Sequence, residues 1–253
     1  MKKTLLLSTA LFALALSPAM AEDNPWTIKE QSPQNAQPTF QAVGEITDDV
    51  VVDDPVMTSI KPLQKEWARI KYQIPDEDTQ LAAIHKLEAQ AAQVSAQFPS
   101  SAEAKIWEGI ILSTDAGIVK GLSALGKVKK AKELFEASLK LDPNALDGSA
   151  HTSLGSLYYQ VPGWPVAFGD DEEAEKHLKT ALKMNPDGID SNFFYGDFLL
   201  QDDRPIEAKK YLEHALMAPD RPDRSLADAG RRQEIKAALA KIAEESKHKK
   251  KFN

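Results

Sequence analysis

The chain has 253 residues, 42% of them hydrophobic, which is enough apolar material for a core that needs no covalent staples. It contains no Cys, and this excludes disulfides, thiol nucleophiles and thiolate metal sites. Its 38 acidic residues against 31 basic ones give a formal charge of −7, which argues against nucleic acid, whose binding rests on neutralising phosphates.

The first element is MKKTLLLSTALFALALSPAMA, residues 1–21. Lys2 and Lys3 form a basic start, Leu5 to Leu16 an apolar run, and Ala19-Met20-Ala21 a small-x-small cleavage site before Glu22. That is the pattern of a cleavable secretory signal, and the apolar run is short for a membrane span. Cleavage removes Lys2 and Lys3 and so lowers the formal charge from −7 by two, to −9. No Cys follows to be acylated, and no later segment is apolar enough to span a bilayer. These features predict export to a bacterial periplasm.

Residues 22–62 are a different material, with Pro25, Pro33, Pro38, Pro55 and Pro62 spread among Gln, Asn and Asp. Such a segment buries too little apolar area to offset its ordering entropy, and it reads as a mostly extended leader. Its run EITDDVVVDDP is open to docking as a strand or strap on the helical body.

Helical periodicity begins at Leu63, with room for a short helix over 63–73, and continues to about residue 245. Leu81, Ile84, Leu87, Ala91, Val94 and Phe98 recur every three or four residues and stop at Pro99. Similar runs end at Pro143, Pro186 and Pro219. No stretch alternates as a strand does. The last amphipathic run, RRQEIKAALAKIAEES, is suited to shielding the final apolar face, and residues 246–253 form a basic tail.

Ala174, Leu178 and Ala181 recur 34 residues on as Ala208, Leu212 and Ala215, and Gly196 recurs as Gly230. Upstream, Ala131, Phe135, Ser138 and Pro143 match Ala174, Leu178, Ala181 and Pro186 at a constant spacing of 43. Two antiparallel helices approach closely only where both present Gly or Ala at the crossing. Gly196 with Ala208, Gly155 with Ala174 and Gly109 with Ala131 fit that role. These residues resemble the tetratricopeptide repeat family over about residues 100–245. The resemblance implies an all-α, tetratricopeptide-like α-solenoid of antiparallel helix pairs with a C-terminal capping helix.

Gly155 and Ala174 are nineteen residues apart, where Gly196 and Ala208 are twelve apart. The surplus falls in YYQVPGWPVAFGDD, between two helices of one pair, where Pro162 and Pro165 forbid helix. GIVKGLSALGKVKK enlarges the preceding pair's turn as well, so two loops are expected on one edge. Trp164 and Phe168 either fold back as a lid on the core or, with Tyr159, line a groove that takes a ligand.

Enzyme signatures are scarce. GLSALGK lacks the spacing and the following Ser or Thr of a phosphate loop, and no histidine has a partner four residues away. His177 and His214 are expected on the outer surface. The repeat register turns Asp190, Phe193 and Asp197 toward the concave side, where Arg224 and Arg231 lie at its basic end. Asp197 facing Arg231 reads as an ion pair between neighbouring helices. Alternatively, Arg224 and Arg231 receive a carboxylate such as a peptide C-terminus.

The residues therefore predict a non-catalytic protein-binding adaptor of the cell envelope, with no cofactor and no metal. Its partner would meet Tyr159, Trp164, Phe168, Asp190, Phe193, Asp197, Arg224 and Arg231. The runs GSLYYQVPGWP and FYGDFL also resemble the periplasmic T-component of TRAP transporters, which would imply a small-molecule-binding accessory of a transport system.

Overall fold

A computed structural model describes residues 54–119 and 121–251, so the signal and residues 22–53, with the EITDDVVVD run, lie outside the described residues. Within them the chain forms nine α-helices: α1 (Pro55–Gln73), α2 (Glu77–Gln97), α3 (Ala102–Val119), α4 (Gly121–Leu141), α5 (Ala145–Gln160), α6 (Asp171–Met184), α7 (Ile189–Gln201), α8 (Pro205–Leu216) and α9 (Ser225–Lys251). A 3₁₀ turn, Pro222–Arg224, precedes α9. The β-structure among these residues is a single bridge between Gly163 and Gly169.

Local chemistry explains most boundaries. Helices α2, α4, α6 and α8 end just ahead of Pro99, Pro143, Pro186 and Pro219. Asp54, Asp76 and Asp170 cap α1, α2 and α6 through hydrogen bonds from the Val56, Thr79 and Glu172 N–H groups. Helix α5 opens with a left-handed turn, Leu146 to Gly148, and is regular from Ser149.

Three boundaries depart from the sequence reading. Helix α1 begins at Pro55 instead of Leu63 and runs through Pro62, because burial of Ile60, Leu63 and Trp67 outweighs proline's cost of about 3 kcal/mol in a helix interior. The surplus in the first pair is absorbed as extra helical turns of α3 and α4, not as a loop, since GIVKGLSALGKVKK has no proline and is rich in helix formers. At the other end α9 carries the basic tail in helix as far as Lys251.

The pairs α3 with α4, α5 with α6 and α7 with α8 pack most extensively, and each crosses on a glycine. A Cβ on Gly155 would lie 2.6 Å from Leu178 Cγ and 3.1 Å from the Ala174 carbonyl oxygen. On Gly196 it would lie 2.8 Å from Leu212 Cγ and 3.3 Å from the Ala208 oxygen, and on Gly109 it would lie 2.5 Å from Phe135 Cε1. Phe135, Leu178 and Leu212 are fully buried, each worth about 1.5–3 kcal/mol of transfer free energy. Ile235 and Ile242 of α9 close the last apolar face.

Helices α3, α5, α7 and α9 follow one another in contact, and α1 touches both α3 and α9. Trp67 meets Trp107 of α3 and Tyr72 edge-on, both at 6.0 Å. The Tyr72 ring presses on Gly230 of α9, where an added Cβ would fall 2.4 Å from the ring. The row of first helices thus returns on itself through α1.

Candidate functional site

The charged junction of α1, α7 and α9 gathers several of the predicted residues. Arg231, 4% exposed, donates from Nε to Asp190 Oδ1 at 2.9 Å and from Nη1 to Glu234 at 2.5 Å. Its guanidinium also stacks on Phe193 and Phe194, at 4.2 and 4.7 Å. Arg221 donates to the second Asp190 oxygen at 3.0 Å and to Asp228. Glu234 receives Lys71 at 3.1 Å and the Tyr72 hydroxyl at 3.3 Å, which ties α1 into the network. Burial pushes the Asp190 carboxyl up, but Arg231, Arg221 and Arg224 outweigh it and hold the group well below the usual carboxylate range.

The expected ion pair between Asp197 and Arg231 is therefore corrected: Arg231 is bonded to Asp190, about two helix turns before Asp197. Asp197 instead accepts from the Tyr159 hydroxyl at 2.7 Å and from Gln201 at 3.0 Å. Burial raises the Asp197 carboxyl, and these two hydrogen bonds oppose it. Burial and the neighbouring Asp197 likewise push the Tyr159 phenol up. Phe193 is buried at 8% exposure. Arg224 lies 4.8 Å over the Trp107 ring, and among the described residues its Nε and the Trp107 Nε1 are buried without hydrogen-bond partners. Burial, followed by the neighbouring Arg221, lowers the Arg224 guanidinium.

The second place is the α5–α6 turn. The Gly169 N–H donates to the Pro162 carbonyl and the Asp170 N–H to the Tyr158 carbonyl, both at 2.9 Å, while Val166 and Ala167 donate to Gly163. Asp170 then caps α6, whose first turn is acidic as its dipole favours. Gly169 is required by closeness: a Cβ there would sit 1.9 Å from the Val161 carbonyl oxygen. Phe168 folds back, edge-on to Tyr158 at 5.7 Å, and joins the cluster around Phe135 and Leu157. Trp164 does not. It is 89% exposed and Val166 is 59% exposed, so the lid is made by Phe168 alone.

Of the two histidines expected on the outer surface, His177 departs from expectation and His214 does not. His177 is half-buried, with its Nδ1 2.8 Å from that of His151, whereas His214 is partly exposed and meets Asp187 at 3.0 Å. No spacing signal marks the His151–His177 pair, because its members lie 26 residues apart on two helices separated by the irregular turn. Among the described residues no group of three or more His, Asp or Glu side chains converges to hold a metal ion, and no helix is long and apolar enough to cross a membrane.

Antiparallel pairs crossing on small residues and stacked in sequence define a tetratricopeptide-like helical-repeat protein. Residues 122–145, covering α4 and the turn into α5, match the family model described as tetratricopeptide repeat, and the resemblance read from the sequence is borne out. The solved structure titled "Crystal Structure of the Yeast Tom70" is similar at 17% identity with a TM-score of 0.44, over 74% of this chain and 34% of that one. This chain thus spans about a third of that chain's length. No curated protein matches the chain. Chains built of this repeat are generically protein-interaction scaffolds and typically not catalysts.

Proposed function

We propose that the protein is an exported adaptor of the bacterial cell envelope that captures a protein partner on its α5–α6 edge, with Trp164 as the anchor. The observation that carries this reading is an indole 89% exposed on a turn whose backbone is fixed by its own hydrogen bonds. A large apolar group held rigidly in water gains on burial and loses little entropy in doing so, which is the property of an interface hot spot. Val166 extends the apolar tip, and Phe168 behind it fixes the turn to the core. Export is supported by the pattern from Lys2 to Ala21.

A photo-crosslinking residue placed at Trp164 in the expressed full chain tests the reading, with Lys209 on the exposed face of α8 as the control position. The expectation is one discrete adduct in the envelope fraction from position 164 and none from position 209. Equal labelling from both, or a chain that stays cytoplasmic with residues 1–21 attached, would overturn it.

A further inference from the structure

The α5–α6 crossing contains a contact that the packing of small residues does not require. His151 and His177 face each other with Nδ1 atoms 2.8 Å apart and ring centres 5.0 Å apart. Two imidazole nitrogens at that distance need one N–H and one lone pair, so the accepting ring must be neutral, and protonation of its Nδ1 breaks the hydrogen bond. His177 also stacks on Tyr158, with ring centres 5.7 Å apart. Tyr158 in turn meets Phe168 edge-on, and its carbonyl accepts the Asp170 N–H. A continuous line of contacts therefore runs from the histidine pair to the base of the turn that presents Trp164.

We propose that the His151–His177 pair is a proton-operated latch, closed while the accepting ring keeps its Nδ1 lone pair and opened when proton uptake removes it, and that it governs how firmly the Trp164 turn is held. The proposal deepens the adaptor reading and rests on it for its biological meaning. The groups facing the pair are Lys132 and Glu136 from α4, Tyr158 from α5, and Glu173 and Lys176 from α6. Glu136 is bonded to Lys132 and Glu173 to Lys176, so both nearby carboxylates already face an ammonium. Lys132 lies 5.7 Å from the Tyr158 and Phe168 rings, adding positive field beside the stack. The ionic contacts from α6 toward α7 and α8 run through Glu175, which receives Tyr195 and Arg204. Among the described residues, an imidazolium formed at the pair meets only Glu136 and Glu173, which are already paired.

The titration direction agrees. Burial, then the facing His151, pushes His177 down to about 4, and burial lowers His151 as well. An unfolded or opened histidine titrates at about 6.5, so the open form binds more protons as pH falls from roughly 6.5 toward 4. The latch is fully closed above that window and progressively released within it.

The test uses the full chain without a partner, so it stands apart from whether Trp164 captures one. Nitrogen NMR of the imidazole rings should show His151 and His177 hydrogen-bonded through Nδ1 near neutral pH and titrating below the ordinary histidine value. Exchange protection of the Gly169 and Asp170 amides, corrected for intrinsic rate, should fall about tenfold between roughly pH 7 and 5. In His177→Gln and His151→Gln that dependence should flatten. The latch is overturned if the rings titrate at the ordinary histidine value, if protection is independent of pH, or if both variants keep the wild-type dependence. Should both variants fail to fold, ring titration of the wild-type chain decides alone.

Discussion

Gly155→Ala and Gly126→Ala add the same methyl group to two helices of one array and should move stability in opposite directions. Gly126 is exposed in α4 with nothing within 4 Å of an added Cβ. Alanine there removes glycine's helix penalty and stabilises by about 1 kcal/mol. Gly155 offers the same gain, but its Cβ would meet Leu178 Cγ at 2.6 Å, Cδ2 at 2.9 Å and the Ala174 carbonyl oxygen at 3.1 Å. Leu178 is 0% exposed and meets the methyl at its branch point, so it has no free end to swing away. The Ala174 oxygen moves only if α6 moves. Overpacking of this kind costs about 1–3 kcal/mol, which leaves Gly155→Ala about 0–2 kcal/mol destabilised after the propensity gain. The two variants should therefore differ by about 1–3 kcal/mol in urea unfolding followed by far-UV circular dichroism, with similar slopes. If Gly155→Ala stabilises as much as Gly126→Ala does, backbone-close crossing is not what holds the pairs.

Trp164→Ala should change stability by less than about 0.5 kcal/mol, as expected of an exposed side chain, while sharply reducing partner crosslinking. Unfolding of that variant would show the indole to be structural. Gly169→Ala leaves Trp164 in place but forces a methyl against the Val161 carbonyl, so capture should fall with little loss of helicity; unchanged capture would mean the turn need not be held. Arg231→Met strips a buried cation from Asp190 and Glu234 and should cost about 3–5 kcal/mol, measured by the same urea titration. Because burial raises Asp190 and the arginines more than reverse it, its contribution is complete above about pH 4 and is lost as pH falls further. Asp190→Asn should flatten that acid limb of the stability profile.

The repeat was legible in the sequence because close crossing leaves a rigid signature: Gly155, Gly196 and Gly109 stand where a Cβ would strike Leu178, Leu212 and Phe135. The site was legible in part. Proline marked the α5–α6 turn, but whether Trp164 turned inward depended on hydrogen bonds such as Gly169 to Pro162, which no side-chain pattern encodes. Asp190 and Asp197 are about two turns apart on nearly the same face of α7, so register alone could not tell which one Arg231 would reach. The His151–His177 contact was invisible for a related reason: the irregular turn resets the register between the helices.

Closure of the first helices through α1 bears on where a partner can sit. Arg231 gives Nε to Asp190 and Nη1 to Glu234 and lays its face on Phe193 and Phe194, while Lys71 and Tyr72 of α1 complete the shell around Glu234. A ligand competing for Arg231 or Asp190 must first break those bonds and leave charge buried without its partner, which offsets most of what it gains. Trp164 and Val166 hold no such internal contacts to surrender. Contact there adds burial without removing a bond, so the edge turn is the cheaper place to put recognition and the inner charged junction the cheaper place to put rigidity.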